Sequence, residues 1–197
     1  MRATVRLVDL PKGRHVPQTG AVDSIQEAEV LLPREALEPL WTRENLERLA
    51  AAYWRYLHRI SLGLLRTIYE PDARTVVLGV RPLAVLRFGA PRYTTSAQSG
   101  SVEWRIERGM LVAKEGRGSG FLRISVERAA GGAPPGQARL EVAVAVRNFY
   151  PWLRGSGGFA RLGTRLYSAT QLRIHVIVTR GFLRSLTRLG LFGRSAP

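Results

Sequence analysis

Apolar and polar positions alternate along most of this chain, and the period of the alternation changes as the chain advances. The run AEVLLP over 28–33 is short, apolar and closed by Pro33, which predicts an edge or first strand. Beyond REALEPLW the spacing turns helical. Leu46, Leu49, Ala50, Tyr53, Leu57 and Ile60 recur on one side of RENLERLAAAYWRYLHRI, with Arg and Glu on the other. Thr42 stands where a side chain would cap the first turn. These features predict an amphipathic helix with one buried face.

From residue 64 the period becomes two. Strands are expected over 64–70, 74–80, 83–89, 92–97, 101–107 and 110–114, separated by turn formers such as Pro71-Asp72, Pro82 and Ala90-Pro91. The last two of these are expected to form a hairpin across Arg108-Gly109. GRGSG at 116–120 turns the chain into FLRISVER, and AAGGAPPGQ leads into RLEVAVAVRNF. In that final strand Leu140, Val142, Val144 and Val146 point one way, and Arg139, Glu141 and Arg147 the other. Such alternation predicts an antiparallel sheet with one dry and one wet face.

In the C-terminal stretch, Phe159, Leu162 and Leu166 share one helical stripe, while Phe182, Leu183, Leu186 and Leu189 share another. QLRIHVIVT between them is β-branched enough for a strand, but no Gly or Pro interrupts it before Gly181. The expectation is one long, bent helix over 159–191. Residues 1–27, with Pro11, Gly13, Pro17 and Gly20, read as an arm or flap; 28–190 read as a single domain and 191–197 as a tail.

Length and composition fit this picture. At 197 residues, 45% hydrophobic and 23% charged, the chain can bury a substantial core, which excludes disorder for most of it. No uncharged stretch approaches the roughly 20 apolar residues of a membrane-spanning helix, and the opening residues lack the apolar block of a signal peptide. With no Cys there is no disulfide framework, which suits a reducing, cytoplasmic setting.

The net charge of +15 is unevenly spread. Residues 1–60 hold nine Lys or Arg against eight acids, whereas the chain after Glu141 holds nine Arg and no acid. Arg173, Arg180, Arg184 and Arg188 fall within about 80° on a helical projection, so they would form one basic stripe. That stripe reads either as a solvated face or as an anion site for nucleic acid or an anionic membrane. No helix-turn-helix or aromatic RNA-binding strand accompanies it. The Arg excess itself, twenty-eight of the thirty basic residues, is equally what GC-rich coding produces.

Catalytic and metal-binding signatures are absent from the sequence. His15, His58 and His175 have no second ligand at metal spacing, no GXSXG elbow occurs, and the glycine-rich segments 116–120 and 155–158 lack the Lys-Ser/Thr of a phosphate loop. No metal and no cofactor are expected. His175 reads as a core histidine or as a group facing a cavity; Tyr69 and Trp104 read as core packing or as the lining of a pocket. Glu103 and Glu107, flanking Trp104, read as partners for nearby Arg.

The order of elements, a strand, short helices, a run of antiparallel strands and a terminal helix, resembles the helix-grip fold. AEVLLPREALEPLW with ENLERLAAAYW resembles the opening of the START-like superfamily of lipid-transfer domains and polyketide cyclases. FARLGTRLYSATQLRIHVIVTRGFLRSL is similar to its terminal helix. The resemblance implies an α+β fold in which a curved antiparallel sheet of about six to seven strands wraps a long C-terminal helix, leaving a cavity for an apolar small molecule or lipid. Tyr69, Trp104 and His175 are then the candidate ligand contacts. A polyanion binder through the Arg stripe and a cyclase- or dehydratase-type enzyme are the alternatives.

Overall fold

The computed structural model describes residues 3–8, 14–15, 21–79, 83–150 and 176–186. Among these, ten strands form one antiparallel sheet. The strands are β1 (Thr4–Leu7), β2 (Arg14–His15), β3 (Val22–Pro33), β4 (Leu65–Glu70), β5 (Ala73–Leu78), β6 (Leu83–Gly89), β7 (Arg92–Thr95), β8 (Ser99–Arg108), β9 (Gly120–Arg128) and β10 (Gln137–Phe149). Their order across the sheet is β1-β3-β10-β9-β8-β6-β5-β4, with β2 also on β3 and β7 also on β8. Helix α1 (Arg43–Ile60) follows β3 after two short 3-10 turns, and a second helix, α2, covers residues 176–185. The architecture is α+β and consistent with a helix-grip arrangement.

Side-chain parity separates the two faces of the sheet. Ala28, Val30 and Leu32 of β3, Val102, Trp104 and Ile106 of β8, Leu122, Ile124 and Val126 of β9, and Leu140, Val142 and Val144 of β10 are all buried. The opposite face is polar and pairs its charges. Arg6 and Arg139 reach Glu29, Arg123 reaches Glu103, and Arg87 bridges Glu70 at 2.7 Å and Glu107 at 3.4 Å. The partners expected for Glu103 and Glu107 are therefore Arg123 and Arg87.

Helix α1 begins where the sequence predicts. The Thr42 hydroxyl accepts the Asn45 amide at 3.3 Å, satisfying one of the free donors of the first turn. Leu46, Leu49, Ala50, Tyr53 and Trp54 form its buried face. Trp54 packs on Phe88 of β6 and Trp104 of β8, each with a ring-centroid distance of 5.3 Å. Tyr53 turns its ring to Phe182 of α2, 5.2 Å away. Both helices thus lie on the dry face.

Two expectations change. First, the strand expected over 28–33 is longer and starts at Val22, and Thr4–Leu7 pairs with it. Second, there is no hairpin at Arg108-Gly109 and no strand over 110–114. Met110 and Leu111 instead donate to the carbonyls of Ala84 and Val85, so the chain stays beside β6 before entering a 3-10 turn at Lys114–Gly116. Gly109 permits this because its φ is +147° and a Cβ there would lie 2.3 Å from the Val85 carbonyl. The C-terminal helix is described over 176–185. The remainder of the long helix expected over 159–191 lies outside the described residues.

Gly109→Ala should therefore lower stability markedly more than Gly79→Ala. Gly79 also has positive φ, but nothing lies within 4 Å of its Cβ position, so that change should cost about 1 kcal/mol of backbone strain alone. Urea unfolding midpoints of the two variants check this.

Candidate functional site

The inner face is apolar except at one end of β3. Inward positions along this strand run Val22, Ser24, Gln26, Ala28, Val30 and Leu32, and the two polar ones are as deeply buried as their neighbours. The first turn of α2 covers this end. The Arg180 Nε donates to the Gln26 Oε1 at 2.9 Å, and the Gln26 amide nitrogen donates to the Ile25 carbonyl at 2.7 Å. Thr179, fully buried, sits beside Arg180 in the sequence. A polar strip thus joins β3 to α2 inside an otherwise apolar interior.

Three buried polar atoms have no hydrogen-bond partner among the described residues on this inner side: the Ser24 Oγ and the indole Nε1 of Trp54 and of Trp104. An indole N–H can only donate, and leaving such a donor unpaired away from water costs about 1–3 kcal/mol. Trp104 is 1% exposed and Trp54 3% exposed, so bulk water does not satisfy them. Their rings meet nearly edge to face, at 74°. The interior therefore offers donors, and a molecule bearing acceptor oxygens on an apolar body would complement it.

Tyr53 completes the aromatic wall between α1 and α2. Complete burial pushes its phenol well above the ordinary value of 10.0. Burial also raises the Tyr69 phenol, against the lowering effect of Arg74 and Arg55.

The sequence-predicted site residues do not all gather here. Trp104 lies at the centre of the interior. Tyr69, on β4, is 54% exposed, with the Arg74 guanidinium 4.8 Å from its ring centre. It stands apart from the inner face. His175 lies outside the described residues, as do Arg173 and Arg188. Arg180 turns towards Gln26, and Arg184 is exposed. Trp54, Ser24 and Gln26 were missed by sequence reasoning. Ser24 and Gln26 share parity with Ala28, Val30 and Leu32, and that parity was the available signal. Among the described residues no group of three His, Cys, Asp or Glu could hold a metal ion, and no helix is long and apolar enough to cross a membrane.

No known protein family and no curated protein matches the sequence. Among solved structures, the chain is similar to norcoclaurine synthase from Thalictrum flavum in complex with dopamine and hydroxybenzaldehyde. That match has a TM-score of 0.34 and 11% identity, and covers 96% of this chain and 98% of the other. It is also similar to human STARD10, with a TM-score of 0.32 and 7% identity over 94% of this chain and 75% of the other. An uncharacterized protein from Rhizobium leguminosarum gives 0.27 and 12%, over 84% and 97%. The fold described above rests on strand order and helix placement.

Because Tyr53 stays protonated in the folded chain, its contribution is fully present below the unfolded value of about 10 and is lost as pH rises beyond it. Each further pH unit should remove about 1.4 kcal/mol of stability. Tyr53→Phe should flatten that slope by one proton in urea unfolding followed across alkaline pH.

Proposed function

We propose that this protein is a cytoplasmic binding or carrier domain that holds an apolar small molecule or lipid between the sheet and the C-terminal helix. The reading places a START-like unit over 28–190, completed by the part of the leader that extends β3. The observation that carries it is the pair of buried indole N–H groups of Trp54 and Trp104, which have no acceptor among the described residues. A ligand with a carbonyl, carboxylate or ester oxygen on a hydrophobic body supplies what they lack. The polar strip of Ser24, Gln26 and Arg180 gives such a ligand a polar end to face. The absence of Cys suits the reducing compartment.

Solvent extraction of purified protein followed by mass spectrometry should recover a bound amphipathic compound. In displacement titrations a fluorescent fatty acid should bind, and the double variant Trp54→Phe with Trp104→Phe, which keeps the rings and removes both donors, should bind it about tenfold more weakly. That loss corresponds to about one hydrogen bond's net worth. A hydrocarbon probe lacking oxygen should be insensitive to the change. An empty protein that binds neither probe overturns the proposal.

A further inference from the structure

The end of the sheet nearest the C-terminus of α1 exposes apolar side chains from three separate parts of the chain. Ile60, Leu62 and Leu64 come from the α1–β4 turn, Leu83 from the start of β6, and Met110 from the segment after β8. Strand register brings them together. The Gly79 amide donates to the Leu64 carbonyl at 3.0 Å, Leu65 pairs with Leu78, Leu78 pairs with Leu83, and the Met110 amide donates to Ala84 beside Leu83. Leu62 at the tip is 91% exposed and Leu64 59%. Single exposed leucines need no explanation, but a convergent cluster does.

The turn that carries Leu62 is firmly built. The Ser61 hydroxyl donates to the His58 carbonyl at 2.9 Å and accepts the Leu65 amide at 3.0 Å, while the Gly63 amide donates to the same His58 carbonyl at 2.9 Å. Leu62 is held at φ +52°, a left-handed conformation that a leucine adopts only against its preference. A strained backbone here presents a large apolar side chain to the outside, at a position where Asn or Gly would be easier.

The charges on the α1–β4 segment that carries the tip have one sign. Between Glu47 and Glu70 the chain has no acid, while Arg48, Arg55, Arg59 and Arg66 fall in that interval. Arg55, Arg59 and Arg66 are exposed. The carboxylates of β4 and β8 lie towards the other end of the sheet, where Glu70 and Glu107 are joined to Arg87.

We propose that this end is a docking tip for an anionic lipid bilayer. Leu62 and Leu64 enter the headgroup–acyl boundary, and Arg59 and Arg66 face acidic headgroups. Apolar insertion and basic attraction act together in such peripheral binding, and neither suffices alone. The site is separate from the sheet–helix interior.

Co-sedimentation with vesicles tests it. The wild-type chain should bind phosphatidylcholine vesicles containing phosphatidylserine, bind pure phosphatidylcholine poorly, and lose affinity as salt rises. Leu62→Asn should reduce binding to the acidic vesicles about tenfold, the partition of one leucine side chain. The same change should leave thermal stability equal or higher, because Asn accepts the left-handed backbone; Leu62→Gly gives a second variant with the same expectation. Arg59→Gln with Arg66→Gln should remove the preference for phosphatidylserine. Fatty-acid binding in the interior should be unchanged in all of these, which separates failure of the tip from failure of the carrier reading. No vesicle binding by wild type, or binding indifferent to Leu62, overturns the proposal. So does self-association in light scattering that Leu62→Asn abolishes without any vesicle binding, because the patch would then belong to a second copy.

Discussion

Trp54 and Tyr53 are neighbours on α1, and their side chains diverge by about 100° around the helix axis. One ring lies against Trp104 and Phe88 of the sheet, and the other against Phe182 of α2. This pair makes α1 a wedge between the sheet and the second helix. The orientation of α1 is set by the Thr42 cap at its start and by the hydrogen-bonded turn at its end. If the wedge rotated, the buried indoles, the aromatic wall and the seat of α2 would move together. Interiors at protein density do not deform continuously, so the interior geometry depends on that single contact surface.

The polar strip is the exception within this apolar volume, and its placement is informative. A buried amide is tolerated when both of its ends are engaged, and Gln26 meets that condition through Ile25 and Arg180. The engaged Gln26 fixes α2 against β3. Among the described residues Ser24, two residues earlier on the same face, lacks such a partner, as do the two indoles. The satisfied groups thus serve the fold, and the unsatisfied ones are where, on the proposed reading, a bound molecule would find its polar contacts.

Much of this architecture was legible before any coordinates. The α1 stripe and its Thr42 cap, the strands β5, β6, β9 and β10, and the inward set Leu140, Val142 and Val144 all follow from period and turn chemistry. The start of β3 did not. In VDSIQE the inward positions carry Ser24 and Gln26 and an outward one carries Ile25, so hydrophobic alternation is inverted although the backbone alternates regularly. Gly109 misled for a related reason, because a glycine between apolar runs signals a turn, whereas here it permits close passage beside Val85. Of the candidate site, Trp104 was readable from strand parity. The role of Trp54 depends on a tertiary contact with β8, fifty residues on, that no local pattern encodes.

The pairing of β3 bears on how the chain comes to be folded as it is made. Its long partner, β10, runs from Gln137 to Phe149, and the Gln26–Arg180 bond spans 154 residues. Ribosomal synthesis delivers β3 early and both of these partners late. Until they emerge, a twelve-residue strand with a buried-type face waits with only β1 and β2 for company, so closure of the sheet waits until β10 and α2 have been made. Over that interval chaperone demand should concentrate on the exposed face of β3.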